Sequence, residues 1–207
     1  MRVRDLNRQA SPQANRLYSR GRTILNRRER RKEAEGFQLM LKAGGFGHVS
    51  AMAWVAMCYE HGLGTRINRP RAFAAHQTAA FGGDASSAYN VGSCYSQGVG
   101  VRRNENLAVY WYARAAREGV PEAVFSLGIN AYNGFGMAAD RALAFKYFRR
   151  AALLGYSPAQ LWTGRLLEVG RGVKANPKAA MKWYRLAKRR EPEAAKALKR
   201  LAARSRG

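Results

Sequence analysis

Four stretches of this chain repeat one message at a fixed interval. YEHGLGTRIN begins at Tyr59, YSQGVGVRRN at Tyr95, AYNGFGMAAD at Ala131 and LEVGRGVKAN at Leu167, each 36 residues after the one before. A constant period of this length constrains the fold more than any local motif, because it marks stacked units that bury their apolar faces only against their neighbours. Read by columns, Gly62, Gly98, Gly134 and Gly170 share one position of the period, and Gly64, Gly100, Gly136 and Gly172 share another. Ala72, Ala108, Ala144 and Ala180 make a third column, Gly47, Gly83, Gly119 and Gly155 a fourth, and Ala79, Ala115, Ala151 and Ala187 a fifth. Four copies fit residues 48–191 without an insertion.

Segments such as SAYNVGSCYSQG and NLAVYWYARAAREG carry apolar and small residues three and four apart, the spacing of an amphipathic helix, so each copy reads as a helix pair, A then B. The first glycine of G-x-G ends helix A in a left-handed backbone conformation. The second lets the loop turn without a Cβ clash. Asn68, Asn104, Asp140 and Asn176 then cap helix B, with Pro70 and Pro177 in its first turn, where no amide donor is missed. Gly92, Gly128 and Gly164, with Ala56 in the first copy, fall inside helix A at a cost of roughly 1 kcal/mol each. The repetition implies a close approach of helix B, covered by the aromatic columns Trp111, Tyr147, Trp183 and Tyr112, Phe148, Tyr184.

Composition agrees with a packed chain: 47% of residues are apolar, with four Trp and ten Tyr. No apolar run reaches the roughly 18 residues a membrane span needs. The start, MRVRDLNRQASPQ, lacks the apolar stretch of a secretory signal, which predicts an intracellular, cytoplasmic protein and not a secreted one. Its Arg-rich, acid-poor character leaves a mitochondrial address open, although Asp5 speaks against it.

The whole pattern (alanine, leucine-glycine, tyrosine, G-x-G, an Asx cap, alanine, an aromatic pair, Ala-Ala and a closing glycine) resembles the Sel-one-like repeat (SLR), a relative of the tetratricopeptide repeat. The resemblance covers about 70% of the chain, residues 48–191. It implies an all-α, right-handed α-solenoid of stacked helix-turn-helix repeats, and a non-enzymatic scaffold or adaptor that binds a partner protein or peptide on its concave face. Met52, Ala75 and His76 depart from the pattern, as does Ala131, where a tyrosine is expected and Tyr132 stands one residue later. The expected organisation is a basic, partly disordered arm over 1–35 and a half repeat over 36–47. Full repeats follow over 48–83, 84–119, 120–155 and 156–191, then a basic capping helix and tail over 192–207.

With the repeating positions of helix A set aside, the varying ones fall at i, i+3, i+4 and i+7, on one helical face. From these, the expected partner groove comprises Trp54, His61, Asn90, Ser93, Gln97, Ser126, Asn130, Asn133, Trp162 and Arg165, of which Trp and Arg most often anchor interfaces. Aliphatic members of the strip, Met57, Ile129 and Leu166, read equally as packing between repeats.

Charge is the second signal. The net charge is +24, of which residues 1–42 carry +8 and residues 174–207 carry +10. Arg20, Arg22, Arg27, Arg28, Arg30, Arg31, Lys32, Lys188, Arg189, Arg190, Lys199 and Arg200 are the candidate polyanion contacts, and the run RGRTILNRRERRK resembles arms that order on RNA or DNA phosphates. The alternative function is thus a structural subunit of a ribonucleoprotein or other nucleic-acid assembly, held by basic termini. A solvated helix face, an acidic protein or an anionic membrane would suit the same charge.

Catalysis finds no support: the 13 acidic residues are scattered, and His48, His61 and His76 match no metal spacing. The glycine loops also lack the Lys-Ser/Thr of a phosphate loop. No cofactor, metal or small-molecule substrate is expected. Cys58 and Cys94 occupy equivalent positions of adjacent repeats, too far apart for an unstrained disulfide.

Overall fold

The computed structural model describes residue 7 and residues 10–27 and 30–204, and among these it forms eleven α-helices and no strand. In chain order they are α1 (Pro12–Asn26), α2 (Arg30–Gly45), α3 (Val49–His61), α4 (Arg69–Phe81), α5 (Ala85–Gln97) and α6 (Glu105–Arg117). There follow α7 (Pro121–Asn133), α8 (Arg141–Leu153), α9 (Ser157–Val169), α10 (Pro177–Ala187) and α11 (Pro192–Arg204). The chain divides into two compact units, Met1–Trp111 and Tyr112–Gly207. In the first, each helix from α1 to α5 packs on the next; in the second, each from α7 to α11 does.

The glycine columns shape the loops. Gly62, Gly98, Gly134 and Gly170 adopt φ of 72 to 80°, and their amides bond back to the carbonyls of Cys58, Cys94, Asn130 and Leu166. The next amide of each loop bonds to the same carbonyl at 3.0–3.1 Å. Together these satisfy the orphan acceptor at the end of helix A. Asn68, Asn104, Asp140 and Asn176 then cap helix B, each side-chain oxygen accepting from an amide three residues on at 2.9–3.0 Å.

The second glycine has a role beyond loop strain. A Cβ on Gly64, Gly100 or Gly172 would run into the carbonyl of Glu33, Arg69 or Arg141, in the first turn of helix B of the preceding pair. Backbone meets backbone there, so the residue locks one helix pair to the next. The glycines inside helix A do what their column implies: a Cβ on Gly128 would meet the Phe148 ring at 2.7 Å and one on Gly164 the Tyr184 ring at 2.6 Å. Phe148 and Tyr184 are fully buried as a result, and burying such a ring, worth roughly 2–3 kcal/mol, outweighs the helical cost of the glycine.

Residues 12–26 are helical, which corrects the reading of a partly disordered arm there. Ser11 caps α1 by accepting from the Ala14 amide at 3.1 Å, and Ala14, Gly21 and Leu25 are buried against α2. The two helices cross where Gly21 faces Gly36: a Cβ on Gly21 would lie 3.1 Å from the Gly36 carbonyl oxygen. Helix α2 begins at Arg30, ahead of the half repeat expected from residue 36. Shifted by one period, α1 and α2 superpose in number on α3 and α4, so they are a further pair in phase with the rest. The columns miss it because Asn26, Arg27 and Arg28 stand where G-x-G would be.

At the other end, α11 lays Ala194, Ala197 and Leu201 against α10 and turns Lys196, Lys199 and Arg200 to solvent. Among the described residues no helix is long and apolar enough to cross a membrane.

Candidate functional site

In the first unit, α3 presents Trp54, Met57 and His61 at i, i+3 and i+7, and two adjoining cavities open on them. The larger, about 600 Å³, is completed by Leu25, Asn26, Glu33 and Leu63. The smaller, about 390 Å³, is completed chiefly by Glu60, His76, Asp84, Ser87 and Asn90. Trp54 is half-buried and His61 exposed, so an apolar floor meets a polar edge.

Three carboxylates from three elements surround this cleft. Glu33 comes from α2 and Glu60 from α3, while Asp84 is the N-cap of α5 and accepts from the Ser87 amide at 2.6 Å. Glu60 lies 3.1 Å from Nε2 of buried His76, whose Nδ1 is 3.3 Å from Ser87 Oγ. The tautomer with Nε2–H donating to Glu60 and Nδ1 accepting from the serine satisfies all three groups. The hydrogen bond from His76 holds the Glu60 carboxyl below its ordinary range against the opposing effect of burial, with the His76 and His61 charges adding to it. Glu60 is therefore ionised at neutral pH. Carboxylate, imidazole and hydroxyl stand in the order of a hydrolase triad, but Ser87 is 1% exposed. The trio anchors α4 between α3 and α5.

Neither thiol in this unit is activated. Burial pushes Cys58 and Cys94 up to about 11, helped by Glu33 and Glu60 respectively, and the two are not bonded to each other. His48 caps α3 with Nδ1 accepting from the Ala51 amide at 3.2 Å and stacks on Tyr18 at 4.1 Å. Burial lowers its pKa.

Of the other expected groove residues, Asn90 joins Trp54 and His61 in the smaller cavity, and Trp162 and Arg165 share a cavity in the second unit. Asn90 lies half-buried with Nδ2 3.4 Å from His76 Nε2, and exposed Gln97 donates to Ser93 at 2.8 Å. In the second unit Ser126 is half-buried and Asn133 is exposed, donating to the Ile129 carbonyl at 3.0 Å. Asn130 is not a groove residue. It is 4% exposed and its amide donates to the Phe135 carbonyl at 3.0 Å, fastening the G-F-G loop. Trp162 is half-buried in an aromatic cluster, stacked on Phe148 at 5.2 Å and edge-on to Tyr132 at 5.5 Å. Arg165 lies 5.9 Å over Trp162 and pairs with Glu193.

Of the cationic candidates, Arg27, Arg31, Lys32, Lys188, Arg189, Arg190 and Lys199 are exposed. Arg22 lies 5.7 Å over Tyr18. Arg20 pairs with Glu35 at 2.5 Å and Arg200 with Glu168 at 2.7 Å, and both arginine side chains stay more than half exposed. Arg28 and the side chain of Arg30 lie outside the described residues. Among the described residues no three His, Cys, Asp or Glu side chains gather in a form that could hold a metal ion.

Sequence columns reached Trp54, His61 and Asn90 but not Glu33, Glu60, Asp84 or His76. Glu60 and His76 are sixteen residues apart and meet only through the A–B packing. The usable signal was position: His76 replaces an aromatic of its column, and Glu60 precedes it on the facing helix.

Comparison with known proteins gives a consistent answer. The family model of the Sel1 repeat matches residues 49–80, 85–120, 121–156 and 157–191. Among solved structures, a protective antigen of uropathogenic Escherichia coli with an SLR fold is 22% identical at a TM-score of 0.86, over 89% of this chain and 40% of the antigen. A Sel1 repeat protein from Oxalobacter formigenes is 28% identical at a TM-score of 0.74, over 80% of this chain and 66% of that one. An immunity protein from Pseudomonas aeruginosa is 22% identical at a TM-score of 0.55, over 98% of this chain and 84% of that one. The chain thus spans two fifths of the antigen and just under two thirds of the Oxalobacter protein. No curated protein matches it.

Proposed function

The chain belongs to the Sel1 repeat family, whose members are generally scaffolds for protein–protein interaction, and we propose that it holds its protein partner at the Trp54 cleft of the first unit. The observation that carries the reading is the pairing of an apolar floor, Trp54 and Met57, with Glu33, Glu60 and Asp84 at the edge. In a chain of net charge +24, a concentration of carboxylates around one cleft selects for a cationic guest. The occupant is a peptide segment that sets an apolar side chain on Trp54 and a neighbouring Lys or Arg against Glu60 or Glu33. Trp54 supplies the anchor area and the carboxylates the register.

The test places a photo-crosslinking residue at Met57 in the full chain and identifies the segments captured in the native cell. Capture of segments with a basic residue beside an apolar one, abolished by Trp54→Ala and by Glu60→Lys, supports the proposal. Acidic segments, or capture indifferent to both changes, would sink it. Capture that vanishes with nuclease would instead favour a nucleic-acid assembly held by the exposed basic residues of the two ends.

A further inference from the structure

The second unit has a feature that the Trp54 cleft does not explain. The middle residue of the G-x-G loop is Leu63, Val99 and Phe135 in three copies and Arg171 in the fourth. Its flanking glycines have φ of 72° and 75°, and Gly172 is pressed against the Arg141 carbonyl where a Cβ would not fit. Arg171 is thereby fixed beside Arg141. Both guanidinium groups use Tyr132: Arg171 Nη1 donates to its hydroxyl at 2.6 Å, and Arg141 lies 5.8 Å over its ring. Together with Val169 and the two glycines, the arginines line a cavity of about 470 Å³ that no acidic residue lines. Neither arginine has a carboxylate partner among the described residues. The neighbouring Asp140 is engaged in capping α8.

We infer that Arg141 and Arg171, positioned by Tyr132, form a binding site for a carboxylate of an acidic protein segment. The inference goes beyond the Trp54 reading and stands without it. Two guanidinium forks match a planar anion, and the carboxylate that lines the adjoining cavity with Arg171, Glu168, is already bonded to Tyr184 and Arg200. A nucleic acid fits less well. Stacking needs uncovered aromatic faces, whereas Tyr132 already lies under Arg141 and Trp162 is stacked on Phe148 and overlaid by Arg165. The site offers a place for one or two anionic oxygens, not a track for a phosphate backbone.

The experiment measures fluorescence anisotropy of two labelled twelve-residue peptides, one with three Glu and one with Gln in their place, against the full chain at about 0.15 M salt. The Glu peptide is expected to bind and the Gln peptide to bind at least about tenfold more weakly. Arg171→Leu, which installs the residue that Leu63 already shows the loop accepts, should weaken the Glu peptide about tenfold, and Tyr132→Phe about threefold. The triple change Lys188→Gln, Arg189→Gln, Arg190→Gln should leave it within about twofold. Equal losses from the triple change and from Arg171→Leu would overturn the site in favour of diffuse charge. So would tighter binding of a single-stranded RNA dodecamer that is lost on Arg171→Leu, which would make the ligand a phosphate.

Discussion

Trp54 and Trp162 stand three periods apart, at the same position of the repeat, and meet opposite fates. Trp54 borders open cavities edged by Glu33, Glu60 and Asp84. Trp162 is stacked on Phe148 and lines a smaller cavity, about 290 Å³, where Arg165, Arg171 and Arg200 surround the single carboxylate of Glu168. Even the hydrogen bonds correspond: Glu60 faces His76 on helix B of its pair, and one hundred and eight residues on Glu168 accepts from Tyr184 at 2.8 Å. In the second unit Arg200 of α11 then neutralises that carboxylate, while burial and the same carboxylate push the Tyr184 phenol up. Among the described residues no arginine pairs with Glu60. One backbone frame thus carries an acidic cleft in one unit and a basic surface in the other, and the columns that build the frame determine neither sign.

The comparison would break most visibly in the second unit's core. Phe148→Ala removes a fully buried ring over Gly128 and should cost about 3–5 kcal/mol in denaturant unfolding. A loss near zero would mean the aromatic cluster does not support that unit. Next, Trp162→Ala should destabilise by about 2 kcal/mol, since its half-buried ring also stacks on Phe148 and meets Tyr132, against about 1 kcal/mol for Trp54→Ala, whose half-buried ring borders two cavities. Equal values would erase the distinction between an indole held in an aromatic cluster and one that borders the cleft. A smaller effect is expected from Glu60→Gln, which keeps the hydrogen-bonding shape but removes the charge. It should weaken a cationic peptide about tenfold while moving stability by about 1 kcal/mol or less.

The smallest expected effect is a pH slope confined to the first unit. His48 is buried with its pKa lowered, so the unfolded chain takes up the proton first, near its ordinary value of about 6.5. The neutral ring's contribution is whole above that pH and fades as pH falls toward the folded value. Melting temperature should therefore decline from pH 7.5 to 5.5, and His48→Asn, which keeps a capping oxygen but does not titrate, should flatten the decline. Glu60, with its pKa depressed, adds a second loss only when pH falls below the carboxylate range of about 4.3.

The frame was readable because helix ends and close crossings need particular residues. Gly62 must take φ of 72°, Asn68 must cap, and Gly128 must admit Phe148. Helix α1 escaped because its loop lacks the glycines, although Ala14, Leu17, Tyr18, Gly21 and Leu25 do show helical spacing. Gly64 was read as relief of strain because its contact, the Glu33 carbonyl, is thirty-one residues upstream. Site residues were the least legible. Glu60, His76, Arg141 and Arg171 gain meaning only from what the packing sets beside them, and summing charge by chain segment hid an acidic cleft and a basic pair alike.

The two kinds of turn also differ in what they would tolerate over generations of duplication and drift. Space beside Gly47, Gly119 and Gly155 is open, with no atom within 4 Å of where a Cβ would stand. The loops at Gly64, Gly100 and Gly172 are filled by the carbonyl of the preceding pair. New sequence can enter at the open turns as a loop or a grafted domain without disturbing the stack, whereas any lengthening of a G-x-G loop pulls a fastening out of its neighbour. Whole thirty-six-residue cassettes are therefore exchangeable at one set of joints only, and innovation in such a chain is steered to the turns that close helix B.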